Sequence, residues 1–142
     1  MKNSKEILSS VLKTTQMGQV GIRSVMNFAS KSELKKELAS QLREYDSIEQ
    51  QAHALASQRG WDLKELQPAA RSMSEMMAHM QLKFGRSDSK IAGMMIQGNT
   101  KGMIKSLKNL HQYSDNDSQI SALSQKLLDR ETDNIRQMQP YL

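Results

Sequence analysis

What most constrains this chain is how rarely it is interrupted. Two prolines and seven glycines are spread over 142 residues, so long stretches run without a residue that forces a turn. Apolar positions recur at three- and four-residue steps, the spacing of one helix face. No run alternates β-branched with polar residues, so no sheet is expected. Five helical segments follow from this spacing, at 5–29, 31–59, 67–84, 88–112 and 117–139.

The first segment carries Ile7, Val11, Thr14 or Thr15, Gly18, Ile22, Val25 and Ala29 on one face. In the second, Leu34, Leu38, Leu42, Tyr45, Ile48, Ala52 and Leu55 repeat the pattern. Ser30 and Glu33 have the spacing of a capping box, and Gly60 supplies the left-handed residue that ends a helix. Residues 61–67 read as a connector whose Trp61 covers one end of the core, and Pro68 opens the third segment at its first turn. The third stripe is Ala69, Met73, Met76, Met77, Met80 and Phe84, read as a core face. Gly85 to Asp88 suits either a turn between two helices or a kink in one.

The fourth segment shows a main stripe of Ala92, Met95, Ile96, Asn99, Met103, Leu107 and Leu110, and a second face at Ile91, Gly98 and Gly102. Two apolar faces imply a central helix, or one that also meets a partner subunit. Ser114 to Asp117 is loop chemistry that starts the last helix. That helix has a stripe of Ile120, Leu123, Leu127, Leu128, Glu131, Asn134, Ile135 and Met138, and Pro140 closes it. The whole predicts a single all-α domain over residues 1–142, an antiparallel four-helix bundle with the third and fourth segments as one broken helix or one segment packed outside. Eleven methionines against six aromatics predict an interior filled by flexible thioethers.

Composition removes whole classes of chemistry. Without cysteine there is no disulfide, iron–sulfur cluster, thiolate zinc site or cysteine nucleophile. The first residues lack the apolar run of a secretory signal, and no apolar stretch approaches the ~20 residues that span a bilayer. A soluble, cytoplasmic chain with no membrane partner is expected. His53, His79 and His111 fall on three different segments beside no nucleophile turn, and no phosphate-cradling glycine loop occurs, so no catalytic residue and no cofactor is assigned.

Helical bundles can hold a di-metal carboxylate site, which draws Glu from two helices and Glu-x-x-His from two others. The first segment has no acidic residue after Glu6, and the fourth has none after Asp88. Two carboxylates do lie within apolar stripes. Glu131 sits near the middle of the last one, with Asn134 where the motif wants His, and Glu49 pairs with His53 at i, i+4. Glu49, His53 and Glu131 are therefore the candidate metal ligands. The competing expectation for Glu131 is a structural bond to Tyr45, Asn99, Asn134 or a facing cation, because buried charges are paired or coordinate metals. Met76 and His79 form a second candidate pair, for a soft ion such as Cu(I). A net charge of +5, with Lys101, Lys105 and Lys108 on one helix face and Lys83, Arg86 and Lys90 nearby, permits weak non-specific attraction to nucleic acid. No aromatic interleaving or base-reading motif accompanies it.

The block Asp88-Ser-Lys-Ile-Ala-Gly-Met-Met-Ile-Gln-Gly-Asn-Thr-Lys-Gly-Met-Ile104 resembles a stretch of small ferritin-like helical proteins of Firmicutes. Glu44-Tyr45-Asp46, Leu127-Leu-Asp-Arg-Glu-Thr-Asp-Asn-Ile135 and the final Tyr141-Leu142 are similar in the same way. The resemblance implies an antiparallel ferritin-like bundle and a bacterial cytoplasmic protein, and it implies no activity. Lys90 and Gly93 stand where His or an acidic residue would be needed for iron. The functional expectation is a non-enzymatic protein acting by protein interaction or self-association. Its alternatives are metal binding through a degenerate carboxylate or Met-rich site, and weak nucleic-acid binding.

Overall fold

A computed structural model describes residues 1–142. It contains five helices and no strand: α1 (Ser4–Val25), α2 (Ser32–Arg59), α3 (Pro68–Lys83), α4 (Asp88–Gln112) and α5 (Ser118–Met138). Short 3₁₀ turns follow α1 at Met26–Phe28 and α5 at Gln139–Tyr141.

Local chemistry explains most of the ends. Asn3 caps α1 in a full capping box with Glu6, each side chain bonding a backbone N–H the helix leaves free. Gly60 ends α2 at φ 68°, a conformation only glycine adopts without strain. Ser87 accepts from the Lys90 N–H at the start of α4, and Asp117 does the same at the start of α5. These caps make α3 and α4 two helices rather than one kinked helix. The expected Ser30–Glu33 box does not form. α2 begins at Ser32 without a side-chain cap, and the Ser30 and Lys31 N–H groups donate to the Asp88 carboxylate at 2.7 and 3.0 Å. A residue on α4 thus takes the Ser30 N–H that Glu33 would have served in such a box.

Cross-links of this kind give the helix directions. Asp88 puts the start of α4 beside the end of α1, and backbone bonds from Lys2 to Gln112 and from Ser114 to Lys2 put the start of α1 beside the end of α4. Arg59 grips Asp117 at 2.6 Å, and Gln41 donates to Gln137 at 2.9 Å, so α2 and α5 also run in opposite directions. α1, α2, α4 and α5 share one core, while α3 packs on α1 and carries the chain from the far end of α2 back to the start of α4.

The core holds Ile7, Leu8, Leu12, Ile22, Leu34, Leu38, Ile48, Ile91, Ile120 and Leu127 with almost no exposure, each such side chain contributing about 1.5–3 kcal/mol by leaving water. The stripes expected on α1, α2 and α5 lie inside. Three expectations are corrected. The α3 stripe is not core: only Leu82 is buried on this helix, Met73, Met76, Met80 and Phe84 face outward, and the half-exposed Met77 borders a cleft against α1 and α4. The interior is accordingly aliphatic rather than methionine-rich, with Met95 and Met138 its only buried thioethers. The inward face of α4 is also turned from its expected line. Below Met95 it runs Asn99, Gly102, Ser106 and Asn109, leaving Ile104 and Leu107 exposed. At Gly102 the Glu131 carboxyl lies where a methyl group would point, and Asn99 and Asn109 are held on this face by hydrogen bonds with Tyr45 and Ser10.

Candidate functional site

Halfway along the core the apolar layers give way to a polar one. Tyr45 from α2 donates its hydroxyl to Glu131 Oε1 of α5 at 2.8 Å and approaches Asn99 Oδ1 of α4 at 3.1 Å. Asn134 Nδ2 reaches the same hydroxyl at 3.5 Å. All four residues are at most 2% exposed. Glycine makes this packing possible. A methyl group at Gly18 of α1 would lie 2.7 Å from the Tyr45 ring, and one at Gly102 of α4 would lie 2.8 Å from the Glu131 carboxyl.

Charge is poorly served in this layer. Burial pushes the Glu131 carboxyl up to about 8, against the partial pull of the Tyr45 hydrogen bond, so the acid is mostly neutral at neutral pH. Burial, followed by the neighbouring Glu131, also holds the Tyr45 phenol well above its ordinary value. Three polar atoms find no protein partner: Asn99 Nδ2, Glu131 Oε2 and Asn134 Oδ1. Asn99, Glu131 and Tyr45 line the bottom of a cleft of about 450 Å³ between α1, α3 and α4. Lys13, Lys101 and Lys105 also border it, and none of them forms an ion pair; His53, Arg59, Arg130 and Arg136 make all of those.

Glu49 and His53 lie elsewhere, where α2 meets α1 and the 61–67 connector. The Glu49 carboxylate accepts from Gln16 Nε2 at 2.9 Å and Gln19 Nε2 at 2.8 Å. Burial alone would raise its pKa, but the two amides, aided by His53 and Arg23, outweigh that and bring it below the ordinary value. His53 Nε2 is 3.8 Å from Glu49 and 3.5 Å from Glu65. Gln16 ties the group together, donating also to Glu65 at 3.2 Å and accepting from the Leu66 N–H at 2.8 Å.

Of the expected metal set, then, Glu49 and His53 come together, but Glu131 does not join them and bonds Tyr45 instead. The third ligand-type group is Glu65. Sequence spacing could not find it, because it sits on the connector rather than on a helix stripe. Met76 and His79 do not share a chelating pocket. Met76 is exposed, and His79 borders a polar depression with Arg23, Arg71 and Glu75. Of the expected basic face, Lys101 and Lys105 line the cleft, while Arg86 lies over the Phe28 ring at 4.7 Å.

Compared with protein-family models, curated proteins and solved structures, the chain matches none of them. No helix is long and apolar enough to cross a membrane.

Proposed function

We propose that this chain is a ferritin-like four-helix bundle of a bacterial, cytoplasmic kind that works without catalysis, by self-association through the outer face of α3. The antiparallel neighbours and the single long crossover that α3 makes between α2 and α4 support the ferritin-like reading, as does the resemblance carried by residues 88–104. The mid-core layer supports a non-catalytic role, because it gathers one carboxylate, one phenol and two amides where a di-metal site needs several carboxylates and imidazoles.

The single observation behind self-association is the exposure of α3. Met73 is 63%, Met76 61% and Phe84 89% exposed, and thioethers of this kind suit adaptable contact surfaces. Contiguous apolar patches on a surface mark contact sites, and a two-fold contact sets one such patch against itself. A second copy is therefore the occupant. Sedimentation velocity across a concentration series should show a dimer. The Met73→Gln/Met76→Gln/Met80→Gln variant should be monomeric with unchanged helical circular dichroism. A wild-type chain that stays monomeric at every concentration refutes the reading.

A second reading rests on Glu49, His53 and Glu65, whose ligand atoms all lie within 4.8 Å of one another and suit a divalent cation held by oxygen and imidazole. Elemental analysis of protein purified without chelators tests it: stoichiometric metal that is lost in Glu49→Gln supports it, and metal-free protein sinks it.

A further inference from the structure

The floor of the α1–α3–α4 cleft is built to donate hydrogen bonds. Asn99 Nδ2 has no partner and can only donate. With the Tyr45 hydroxyl donating to Glu131 Oε1, a proton carried by this carboxyl stands on Oε2, another of the three orphaned atoms of the layer. Burial favours that protonated form. Both side chains are 2% exposed and line the same cleft. A buried polar group left unpaired is costly; both atoms are closed to solvent in the free chain, so an acceptor oxygen reaches one of them where the flexible side chains of the cleft shift.

The rest of the cleft specifies what brings that oxygen in. Open space lies over the bare backbone at Gly21 and Gly98, where a side chain would meet nothing within 4 Å. Met17, Met77 and Met94 wall the cleft and can reshape around an apolar chain. Lys13 and Lys105 border it with no carboxylate beside them. Burial, then the charges of Lys13 and Lys2, makes the Lys105 ammonium easier to deprotonate, a repulsion that a bound anion would relieve. A volume of about 450 Å³ falls in the range of sites that enclose small molecules.

We propose that this cleft binds a medium-chain carboxylate bearing a hydroxyl or oxo group. Its carboxylate lies against Lys13 and Lys105, its chain lies among the methionines, and its added oxygen lies on Asn99 or Glu131. This goes beyond self-association and rests on different atoms, so either can fail without the other.

The test is a titration of the full chain, labelled at its methionine methyl groups, followed by nuclear magnetic resonance. The probes are 3- and 5-hydroxydecanoate, decanoate and decyltrimethylammonium. Saturable shifts of the Met17, Met77 and Met94 methyls are expected with the hydroxy acids. The better of the two should bind roughly fivefold tighter than decanoate, as one added hydrogen bond predicts, and the cation should produce no such shifts. Gly98→Leu should fill the open space and abolish binding while the chain keeps its helical spectrum and unfolding temperature. Lys13→Gln/Lys105→Gln should weaken binding about tenfold or more, as the loss of charge-assisted bonds requires. Absence of saturable shifts means that water alone fills the cleft and overturns the proposal. An equal response to the cation, no advantage of either hydroxy acid over decanoate, or unchanged binding by a folded Gly98→Leu would overturn it as well.

Discussion

Glu49 and Glu131 are the two carboxylates that apolar stripes carry toward the interior, and the fold treats them in opposite ways. Glu49 keeps 21% of its side chain in solvent and meets two amide donors, so it remains an anion. Glu131 is 2% exposed, meets one phenol and leaves Oε2 without a protein partner, so its charge is suppressed. Burial dominates at Glu131, while at the less buried Glu49 two amide donors outweigh it, so exposure and donors together separate the two. They also separate their uses: Glu49 ties α2 to α1 beside the connector, and Glu131 is a neutral acid at the bottom of a cleft.

The largest test of this contrast is Glu131→Gln followed across pH. The folded-state pKa of Glu131 lies above its unfolded value, so its contribution to stability is complete below about pH 4.3 and is lost as pH rises through about 8. Glutamine removes that dependence. Between about pH 4 and about pH 9 the variant should gain about 3–5 kcal/mol relative to wild type, measured by urea unfolding. Equal slopes for the two proteins would mean that Glu131 titrates as an ordinary carboxyl.

A smaller effect probes the sealing of the layer. The methyl of Gly18→Ala meets the Tyr45 ring, which core packing holds in place, and the clash should cost about 1–3 kcal/mol even after the gain in helix propensity. Gly102→Ala meets the far end of the Glu131 side chain, which can swing aside, so its cost should be less. Equal stability of Gly18→Ala and wild type in thermal unfolding would show that Tyr45 is free to shift.

Glu49→Gln gives the smallest effect and the opposite pH dependence. It weakens the pairing with Gln16 and Gln19 and should cost about 1 kcal/mol at neutral pH. Since the folded-state pKa of Glu49 is lowered, its contribution is present above the unfolded carboxyl value and lost as pH falls through the folded one. The deficit of the variant should therefore vanish in acid. A deficit that persists there would assign Glu49 a role in packing alone.

Much of the fold is legible in particular residues. Gly60, Pro68, Ser87 and Asp117 mark helix ends by local backbone chemistry, which needs no neighbour. The stripes of α1, α2 and α5 are equally plain, and Glu131 is visible as an acid inside one of them. Less legible is what surrounds each residue. Asp88 takes over the N–H groups beside α2, Glu65 reaches Glu49 and His53 from a connector, and the Met stripe of α3 faces out.

The sequence alone determined an all-helical chain, its helical segments apart from whether the third and fourth are one broken helix, and the inward placement of Tyr45, Glu131 and Asn134, because helix periodicity and capping act over a few residues. Tertiary structure decided which apolar faces are covered, which way α4 turns, and whether each inward carboxylate finds donors. Those outcomes depend on groups distant in sequence meeting at a few ångströms. Spacing along one helix records that a residue points inward, and the opposing helices decide what it meets there.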